Sequence, residues 1–452
     1  RLASDLNISS LRAQIRRKDN LAKTVGMVSL GCSKNRVDSE QILGMLKENG
    51  FDITNDEAQA EVIIVNTCGF INPAKEESIG AILEMAQHKK GGSCRLLVVT
   101  GCLSQRYPKE LREELPEVDI FWGVKDKDGL VRKITEAVGG SYKCCSEDAR
   151  IITTPSYSAY LRIADGCDNR CTYCAIPLIR GGKVSIPMEK LVKEAQSLAD
   201  SGVKELTLIA QDTSAYGTDL YGKPMLAELL RRIAKIDKLH WIRVLYSYPN
   251  TIDEELVDTM VADPKIVNYI DIPIQHIDPD MLKAMNRHGS AEHIREITDY
   301  IRRTAPDFIL RTTVITGFPG ETEEQFGHLT EFLKEHSFDR LGAFAYSQED
   351  DTPAADMPNQ IDEDVKQRRL KRIMSLQQGI SLAYNKKRIG TVTEALVEQV
   401  SGDIAYGRTY AEAPEVDGTV MFSIKNKGLK PGDFTMIKLT GAGPYDMEGE
   451  EI

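Results

Sequence analysis

From residue 24 onward the chain alternates short apolar runs with helical stretches, and this alternation constrains its fold more than any other feature. "TVGMVSLGC", "EVIIVNTCGF" and "RLLVVTGC" are rich in Val, Ile and Leu, and each is followed by a stretch of helical period such as "NRVDSEQILGMLKENG". Strands that alternate with helices are joined by crossovers, so they pair in parallel and are covered by the helices. After "GGSYKCCSEDAR", a stretch of low order, the alternation restarts and passes through "YLRIADGC", "ELTLIAQD", "WIRVLYSYP", "YIDIPIQH", "LRTTVITGFPG" and "RLGAFAYS". Six consecutive βα units with right-handed crossovers predict a (β/α)6 partial barrel whose ligand-binding rim lies at the strands' C-terminal ends. Beyond "EDDTPAADMPNQIDED" comes a long helical stretch rich in Lys and Arg. Short strands such as "TVTEALVEQV" and "FTMIKLT" follow, punctuated by Gly and Pro, and predict a small β-barrel or sandwich. The expected fold class is therefore α/β with a C-terminal β module. The divisions expected are a basic arm at 1–22, an N-terminal parallel α/β domain at 23–139, a linker at 140–152, the partial barrel at 153–384 and the β module at 387–452.

Composition narrows the functional class. With 452 residues the chain exceeds one hydrophobic core, and 41% hydrophobic with 28% charged residues lets it fold without covalent staples. A formal net charge of -11 argues against an extended nucleic-acid groove. No run approaches the roughly 18 apolar residues needed to span a bilayer, and the N-terminus lacks the apolar centre of a secretory signal. The expected compartment is the cytoplasm, with no membrane partner. In that reducing setting nine cysteines point to metal ligation or redox chemistry rather than to disulfides.

Six of those cysteines form two sets. "DGCDNRCTYCAIP" places Cys167, Cys171 and Cys174 as CxxxCxxC directly after the first barrel strand. A structural zinc site needs four ligands, usually as two CxxC pairs, and no second pair follows. Three thiolates suit three corners of a four-iron four-sulfur cube, leaving one iron open; the alternative is a loop of buried thiols or a zinc site completed by a distant ligand. The second set is dispersed: Cys32, Cys68 and Cys102 each end a predicted strand, in "SLGC", "VNTC" and "VTGC". In a parallel sheet those ends share one edge, at the crevice where such sheets bind ligands. The alternative is buried thiols acting as small hydrophobes, but packing gives no reason for a shared strand-end position. Cys94, Cys144 and Cys145 fit neither set and read as incidental.

At or near the barrel strand ends, Gln211, Asp212, Tyr248, Gln275, His276 and Arg311 are candidates for holding cofactor or substrate. For His276 a satisfied structural role is favoured over a catalytic one. Gly317 and Gly320 in "GFPGE" allow either a close backbone approach to a nucleoside or an ordinary βα turn. His288 and His293 are read as solvated residues on polar helical stretches.

The CxxxCxxC motif, with Tyr173 before its last cysteine, resembles the signature of the radical S-adenosylmethionine (SAM) enzymes. The resemblance implies that SAM chelates the open iron through its amino and carboxylate groups and is cleaved reductively to a 5'-deoxyadenosyl radical. Tyr173, Gln211, Gln275, Arg311 and Gly317 are then the cofactor-binding candidates. "SLGCSKNRVDSE", "NTCGFINPAKEES" and "GCLSQRY" look like the N-terminal domain of the methylthiotransferases, and the likeness continues from about residue 23 into a TRAM-like C-terminal module. Membership implies two [4Fe-4S] clusters, on Cys32, Cys68 and Cys102 and on Cys167, Cys171 and Cys174. It also implies replacement of a carbon-bound hydrogen by a methylthio group, one SAM supplying the methyl and another the radical. "IAQDTSAYG", "YSYPN", "DIPIQH" and "FDRLGAFAYS" look most like the RimO branch, which acts at the β-carbon of an aspartate of small-subunit ribosomal protein twelve. The family usually has Arg after "IRGGKVS", where this chain has Ile186.

Two other readings compete: the same chemistry on tRNA adenosine, and a non-catalytic iron-sulfur sensor or scaffold. From Thr391 to the end the chain has five basic and eleven acidic residues. That balance favours a basic ribosomal protein, free or assembled, over tRNA, with Glu412, Glu415 and Asp417 as candidate positions for charge steering. A reductant and a sulfur donor are the other implied partners.

Overall fold

The computed structural model describes residues 24–452, so the basic arm expected at 1–22 lies outside the described residues. The chain divides into two units, one reaching Thr153 and taking in Leu178–Arg180, the other spanning Thr154–Pro177 and Gly181–Ile452.

The first unit is built on strands β1 (Thr24–Ser29), β2 (Asp52–Ile53), β3 (Val62–Thr67), β4 (Leu96–Gly101) and β5 (Ile120–Phe121), all parallel in the order β2-β1-β3-β4-β5. The period of two sends successive β3 side chains to opposite faces. Val62 and Ile64 pack with Leu43, Leu46 and Leu130, while Ile63 and Val65 pack with Ile82 and Leu111. Burial on both faces explains why the strand reads as one continuous apolar run, each such side chain contributing about 1.5–3 kcal/mol. The strand order reverses direction between β1 and β3, which opens a crevice at their C-terminal ends. β2 and β5 have two residues each and leave no periodic signal in the sequence. The expected linker has neither helix nor strand at its centre, yet it is fastened. Arg150 lies 2.7 Å from the buried Glu40 carboxylate, the Thr153 backbone N–H donates to the same group at 2.7 Å, and the Ser146 N–H donates to Glu48 at 2.8 Å.

In the second unit, β6 (Ser158–Arg162) precedes a hairpin of β7 (Ala164–Asp165) and β8 (Val184–Ser185). The main sheet adds β9 (Glu205–Ile209), β10 (Trp241–Val244), β11 (Ile266–Asp271), β12 (Ile309–Thr316) and β13 (Arg340–Ala345). It is parallel throughout, in the order β13-β12-β11-β10-β9-β6, with the first and last strands left as edges, as a partial barrel requires. Helix Glu363–Arg388 leads into a closed barrel of β14 (Val392–Ser401), β15 (Ile404–Arg408), β16 (Val420–Ser423), β17 (Phe434–Ala442) and β18 (Met447–Glu451).

Buried charges join this small barrel to the large one. Glu205 accepts from Arg243 at 3.1 Å and from Arg408 at 2.5 Å. Burial acts to raise its carboxyl, but the two guanidinium groups outweigh that and hold it down at about 2. Glu412 is 0% exposed and accepts from Arg388 at 2.6 Å and Arg340 at 3.1 Å. The buried Asp417 carboxylate accepts from the Tyr269 hydroxyl at 2.7 Å. Glu412 and Asp417 therefore belong to the seam between the barrels, which corrects their expected place on a steering surface. Glu415 is exposed but takes the Tyr160 hydroxyl at 2.9 Å. Removing one partner of a buried pair costs about 3–5 kcal/mol, so charge reversal at Glu412 would damage the fold before it tested any partner.

Candidate functional site

The CxxxCxxC segment of the second unit is held in shape by its backbone. Gly166 has φ +74°, and a Cβ there would lie 2.1 Å from the Gly182 carbonyl oxygen, so the turn out of β7 requires glycine. The Cys167 N–H donates to Gly181 O at 3.1 Å and the Cys174 N–H to Cys171 O at 3.0 Å. Thr172 is tied at both ends, its N–H to Met285 O at 3.0 Å and its hydroxyl to Ala284 O at 2.9 Å, while Asn286 donates to Arg170 O at 2.9 Å. The Asn169 amide donates to Asp212 at 2.7 Å, so Asp212 orients the cysteine loop. Burial pushes the Cys167 thiol up to about 11 and Cys174 up to about 12, and the neighbouring cysteines add to it.

Tyr173 packs against Met281, Phe318 and Tyr346, and its hydroxyl accepts from Arg287 at 3.2 Å. The Arg287 guanidinium also donates to Pro273 O, lies 4.1 Å from the Tyr248 ring centroid and reaches the Cys171 sulfur at 4.0 Å. One side chain thus ties the cysteine loop to residues following β10 and β11. Sequence reading missed it, because a lone Arg in "MNRHGS" carries no spacing signal.

Around this loop, buried polar atoms lack partners at the strand C-terminal ends: Gln211 Oε1 after β9, Ser247 Oγ after β10, Gln275 Oε1 after β11 and the Tyr346 hydroxyl after β13. An unpaired buried polar group costs about 1–3 kcal/mol; Thr207, Arg243 and Arg340 carry such atoms within the strands, but these four follow the strand ends, where a polar ligand would complete the site. Amide oxygens only accept, which suits a ligand rich in N–H and O–H donors. The amine, ammonium and ribose hydroxyls of SAM meet that demand. Gln275 takes a left-handed backbone at φ +67° and is bridged to Val314, fixing its side chain at the rim.

The other sequence candidates fall elsewhere. Arg311 is not at the rim: β12 runs on to Thr316, and Arg311, near its start, donates to Asp271 at 2.8 Å and lies 3.8 Å from Asp417. At Gly317 the close neighbour is protein, since a Cβ would lie 2.4 Å from Lys366 Cγ, and a Cβ at Gly320 would meet nothing within 4 Å. His276 is 0% exposed, set between Glu321 at 3.2 Å and the Asp278 N–H at 3.0 Å, a structural role. The Tyr248 hydroxyl accepts the His288 N–H at 2.9 Å, and His288 lies in a loop rather than on a helix. His293 is on a helix but only half-exposed, with Nε2 3.1 Å from Pro249 O. At Ile186 the backbone donates to Ile163 O at 2.9 Å and accepts from the Tyr216 hydroxyl at 2.8 Å.

In the first unit Cys32, Cys68 and Cys102 follow the ends of β1, β3 and β4. Their turns pack closely at glycines. A Cβ at Gly31, where φ is +85°, would lie 2.8 Å from the Cys68 Cβ and 3.0 Å from its sulfur, and one at Gly69 would lie 2.7 Å from the Leu103 Cα. Burial pushes the Cys102 thiol up to about 12; Arg180 pulls the other way, and Cys32 and Cys68 raise it further, so the three sulfurs feel one another. The Arg180 side chain, 1% exposed, donates to Asp38 at 2.8 Å, Asn35 at 3.2 Å and the Cys102 sulfur at 3.7 Å. Asn35 and Asp38 stand three apart on helix Ser33–Glu48, so they share a face, and that spacing in "SKNRVDSE" was a legible signal. Of the remaining cysteines, Cys94 packs in the core, Cys144 is exposed and the Cys145 sulfur accepts from Asn49 at 3.1 Å.

Among the described residues, no group of three or more His, Cys, Asp or Glu side chains closes on a single metal ion. The ligands of one ion crowd within about 2.3 Å of it, whereas the thiolates of a four-iron cube attach to separate irons and stand farther apart. Three thiols with no fourth are, by their chemistry, the donor set that a cube with one open iron takes.

Three family models match successive parts of the chain. Residues 24–123 match the uncharacterized protein family UPF0004, 161–333 the radical SAM superfamily and 389–452 the TRAM domain. Among solved structures, the radical SAM methyltransferase TsrM from Kitasatospora setae, with cobalamin and a [4Fe-4S] cluster bound, is similar in fold, with TM-score 0.55 and 14% identity over 85% of this chain and 80% of that one. The cobalamin-dependent SAM radical enzyme OxsB gives TM-score 0.50 and 13% identity over 80% and 57%. Much nearer in sequence are the ribosomal protein uS12 methylthiotransferases RimO of Desulforamulus reducens, 49% identical over 94% of this chain and 99% of that protein, and of Caldicellulosiruptor saccharolyticus, 49% over 95% and 99%. The RimO of Clostridium botulinum is 48% identical over 94% and 97%. At that identity and coverage, the chain belongs to the RimO family of ribosomal protein uS12 methylthiotransferases, radical SAM enzymes that use SAM and two [4Fe-4S] clusters.

Proposed function

We propose that this chain inserts a methylthio group at the β-carbon of an aspartate of ribosomal protein uS12, with Cys167, Cys171 and Cys174 holding the cluster that takes SAM and Cys32, Cys68 and Cys102 holding the second. The observation that carries this reading is the pair of three-cysteine sites, each one ligand short, at strand C-terminal ends. An unactivated C–H bond lies beyond side-chain acid-base chemistry at ordinary pKa values. When bound, the first cluster with SAM supplies a hydrogen-abstracting radical and the second supplies the sulfur.

The chain's own residues bind and orient. The unpartnered Gln211 and Gln275 oxygens accept N–H or O–H groups of SAM, and Ser247 and Tyr346 offer hydroxyls beside them. Tyr173 packs against the buried cluster that includes Phe318 and Tyr346, which holds its ring in place beside the cysteine loop. Arg311 and Gly317 are left out of this set, since protein groups already occupy them.

The substrate is a basic protein, met free or in the small subunit. Glu448 and Glu450 alternate outward on β18 while Met447 and Glu451 are buried, which gives the module exposed acids suited to such a partner. Naked tRNA gains little from that surface. A reductant and a sulfur donor complete the partners, and a ribosomal substrate sets the work in the cytoplasm. Among the described residues no helix is long and apolar enough to cross a membrane.

The test uses anaerobically reconstituted full-length protein with SAM, dithionite and sulfide, offered uS12, assembled small subunits or tRNA. Mass spectrometry should find the methylthio group on the uS12 peptide. Methylthiolation of tRNA with none on uS12 would overturn the substrate. Reversing Glu448 and Glu450 to Lys should weaken uS12 binding, more at low salt, and leave SAM cleavage intact.

A further inference from the structure

We propose that Arg180 is a positioning residue for the second cluster: held by Asp38 and Asn35, it aims a guanidinium N–H at the Cys102 sulfur and supplies positive charge that stabilises the reduced form of the cluster bound there. This rests on the reading that Cys32, Cys68 and Cys102 hold a cluster.

The geometry is specific. Asp38 is fixed from both sides, one carboxylate oxygen 2.8 Å from Arg180 and the other 2.8 Å from Lys127. Asn35 is fixed too, its amide donating to Leu30 O at 2.8 Å and Thr67 O at 3.0 Å, which leaves its oxygen facing Arg180 at 3.2 Å. Leu30 and Thr67 each stand two residues or one before a cysteine of the triad, so the network that orients the guanidinium also braces the turns that carry the ligands. The side chain is 1% exposed, which keeps it from solvent screening and makes its charge count for more than a surface cation's.

Reducing an iron-sulfur cluster adds a negative charge, and its potential responds to net charge, to hydrogen bonds on its sulfurs and to exposure. Arg180 acts through the first two: it donates to a ligand sulfur and places a fixed cation beside it. Its loss should make the cluster harder to reduce. All three contacts come from one nitrogen, Nη2, which the guanidinium plane holds among Asp38, Asn35 and Cys102; lysine would keep the charge on a flexible stem without that plane.

The experiment isolates this cluster in full-length protein carrying C167A, C171A and C174A, reconstituted anaerobically. Arg180→Gln and Arg180→Lys are added to that parent, and iron per chain, the EPR spectrum of the reduced cluster and the midpoint potential are measured. The expected result is a downward shift of potential in R180Q, with a smaller shift in R180K and a changed EPR spectrum in both. Should R180Q lose the cluster, retention by R180K at a potential below the parent's supports the proposal equally. An unmoved potential in R180Q at full iron overturns the role of Arg180 alone, as does iron loss as complete in R180K as in R180Q. Absence of iron from the parent overturns the cluster reading and this inference with it.

Discussion

The two cysteine triads meet one demand, three sulfurs at a strand-end rim, by opposite means. Cys167, Cys171 and Cys174 sit in one loop whose shape is imposed locally by Gly166, by Thr172 tied to Ala284 and Met285, and by Asn169 on Asp212. Cys32, Cys68 and Cys102 come from three separate turns, and the parallel register of β1, β3 and β4 brings them together. Their arginines differ as well. Arg180 lies between a carboxylate, an amide and a sulfur, while Arg287 lies on the Tyr248 ring with the Tyr173 hydroxyl and Pro273 O as its oxygen partners. A site built from one loop depends on its fastenings; a site built from a sheet depends on the fold of the whole domain.

The sharpest test of that contrast is all-or-none. Replacing Cys167, Cys171 and Cys174 by Ala should remove about half of the roughly eight irons that two cubes hold and abolish 5'-deoxyadenosine formation. Replacing Cys32, Cys68 and Cys102 should remove a similar share of iron, spare SAM cleavage and abolish the methylthio product. Unchanged deoxyadenosine in the first variant, or methylthio product from the second, would break the assignment of roles.

Single glycines should divide the sites almost as cleanly. Ala at Gly166 meets a carbonyl oxygen at 2.1 Å, and Ala at Gly31 meets the Cys68 Cβ at 2.8 Å; both positions have positive φ. The left-handed conformation alone costs about 1–2 kcal/mol for an L-residue, and the clash adds to it. G166A should lose iron from the first site together with SAM cleavage. G31A should lose iron from the second and keep cleavage. Loss of both activities in G31A would mean that the first unit unfolds as a whole, the outcome expected if the dispersed triad cannot be disturbed locally.

What the sequence disclosed follows the same division between local and dispersed. The six main strands were legible, and the six cysteines could be sorted into two sets, because period and spacing are local properties; Gln211 and Gln275 were picked out because strand ends mark the rim, where their amide oxygens are buried without protein partners. Arg180 and Arg287 were invisible: their meaning comes from contacts with Cys102 and with Cys171 and Tyr173, which no spacing encodes. The seam failed for a related reason. A count of acids cannot separate Glu412, fully buried between Arg340 and Arg388, from Glu448, which faces solvent. Arg311 was misplaced because β12 continues five residues beyond it, to Thr316.

A more moderate effect is expected at Arg287. It joins the cysteine loop to the residues after β10 and β11, and a hydrogen bond from a charged donor contributes about 1.5–3 kcal/mol. R287Q should therefore lower kcat/KM for SAM cleavage about tenfold to a hundredfold, while the second cluster keeps its iron and its EPR spectrum. R287K should recover part of the rate. Equal damage to both clusters would remove the local character assigned to this site.

The smallest effect should come from the Tyr173 hydroxyl, and it separates the two things this residue does. Its ring packs with Met281, Phe318 and Tyr346, and its hydroxyl accepts one bond from Arg287 at 3.2 Å. Phe keeps the ring and removes the hydroxyl, which also hydrogen-bonds Cys171, while Arg287 retains Pro273 O and the Tyr248 ring. Because Arg287 keeps its other partners, only the low end of the about 1.5–3 kcal/mol of a charged-donor bond should be lost, and Y173F should slow SAM cleavage by about tenfold, less than R287Q does. If the hydroxyl serves only to anchor Arg287, kcat should fall while KM for SAM holds, because the rim atoms of Gln211 and Gln275 are untouched. A rise in KM with kcat unchanged would instead place the hydroxyl on SAM itself. A fall as deep as that of R287Q would mean that the bond to Tyr173 is the whole of what Arg287 contributes.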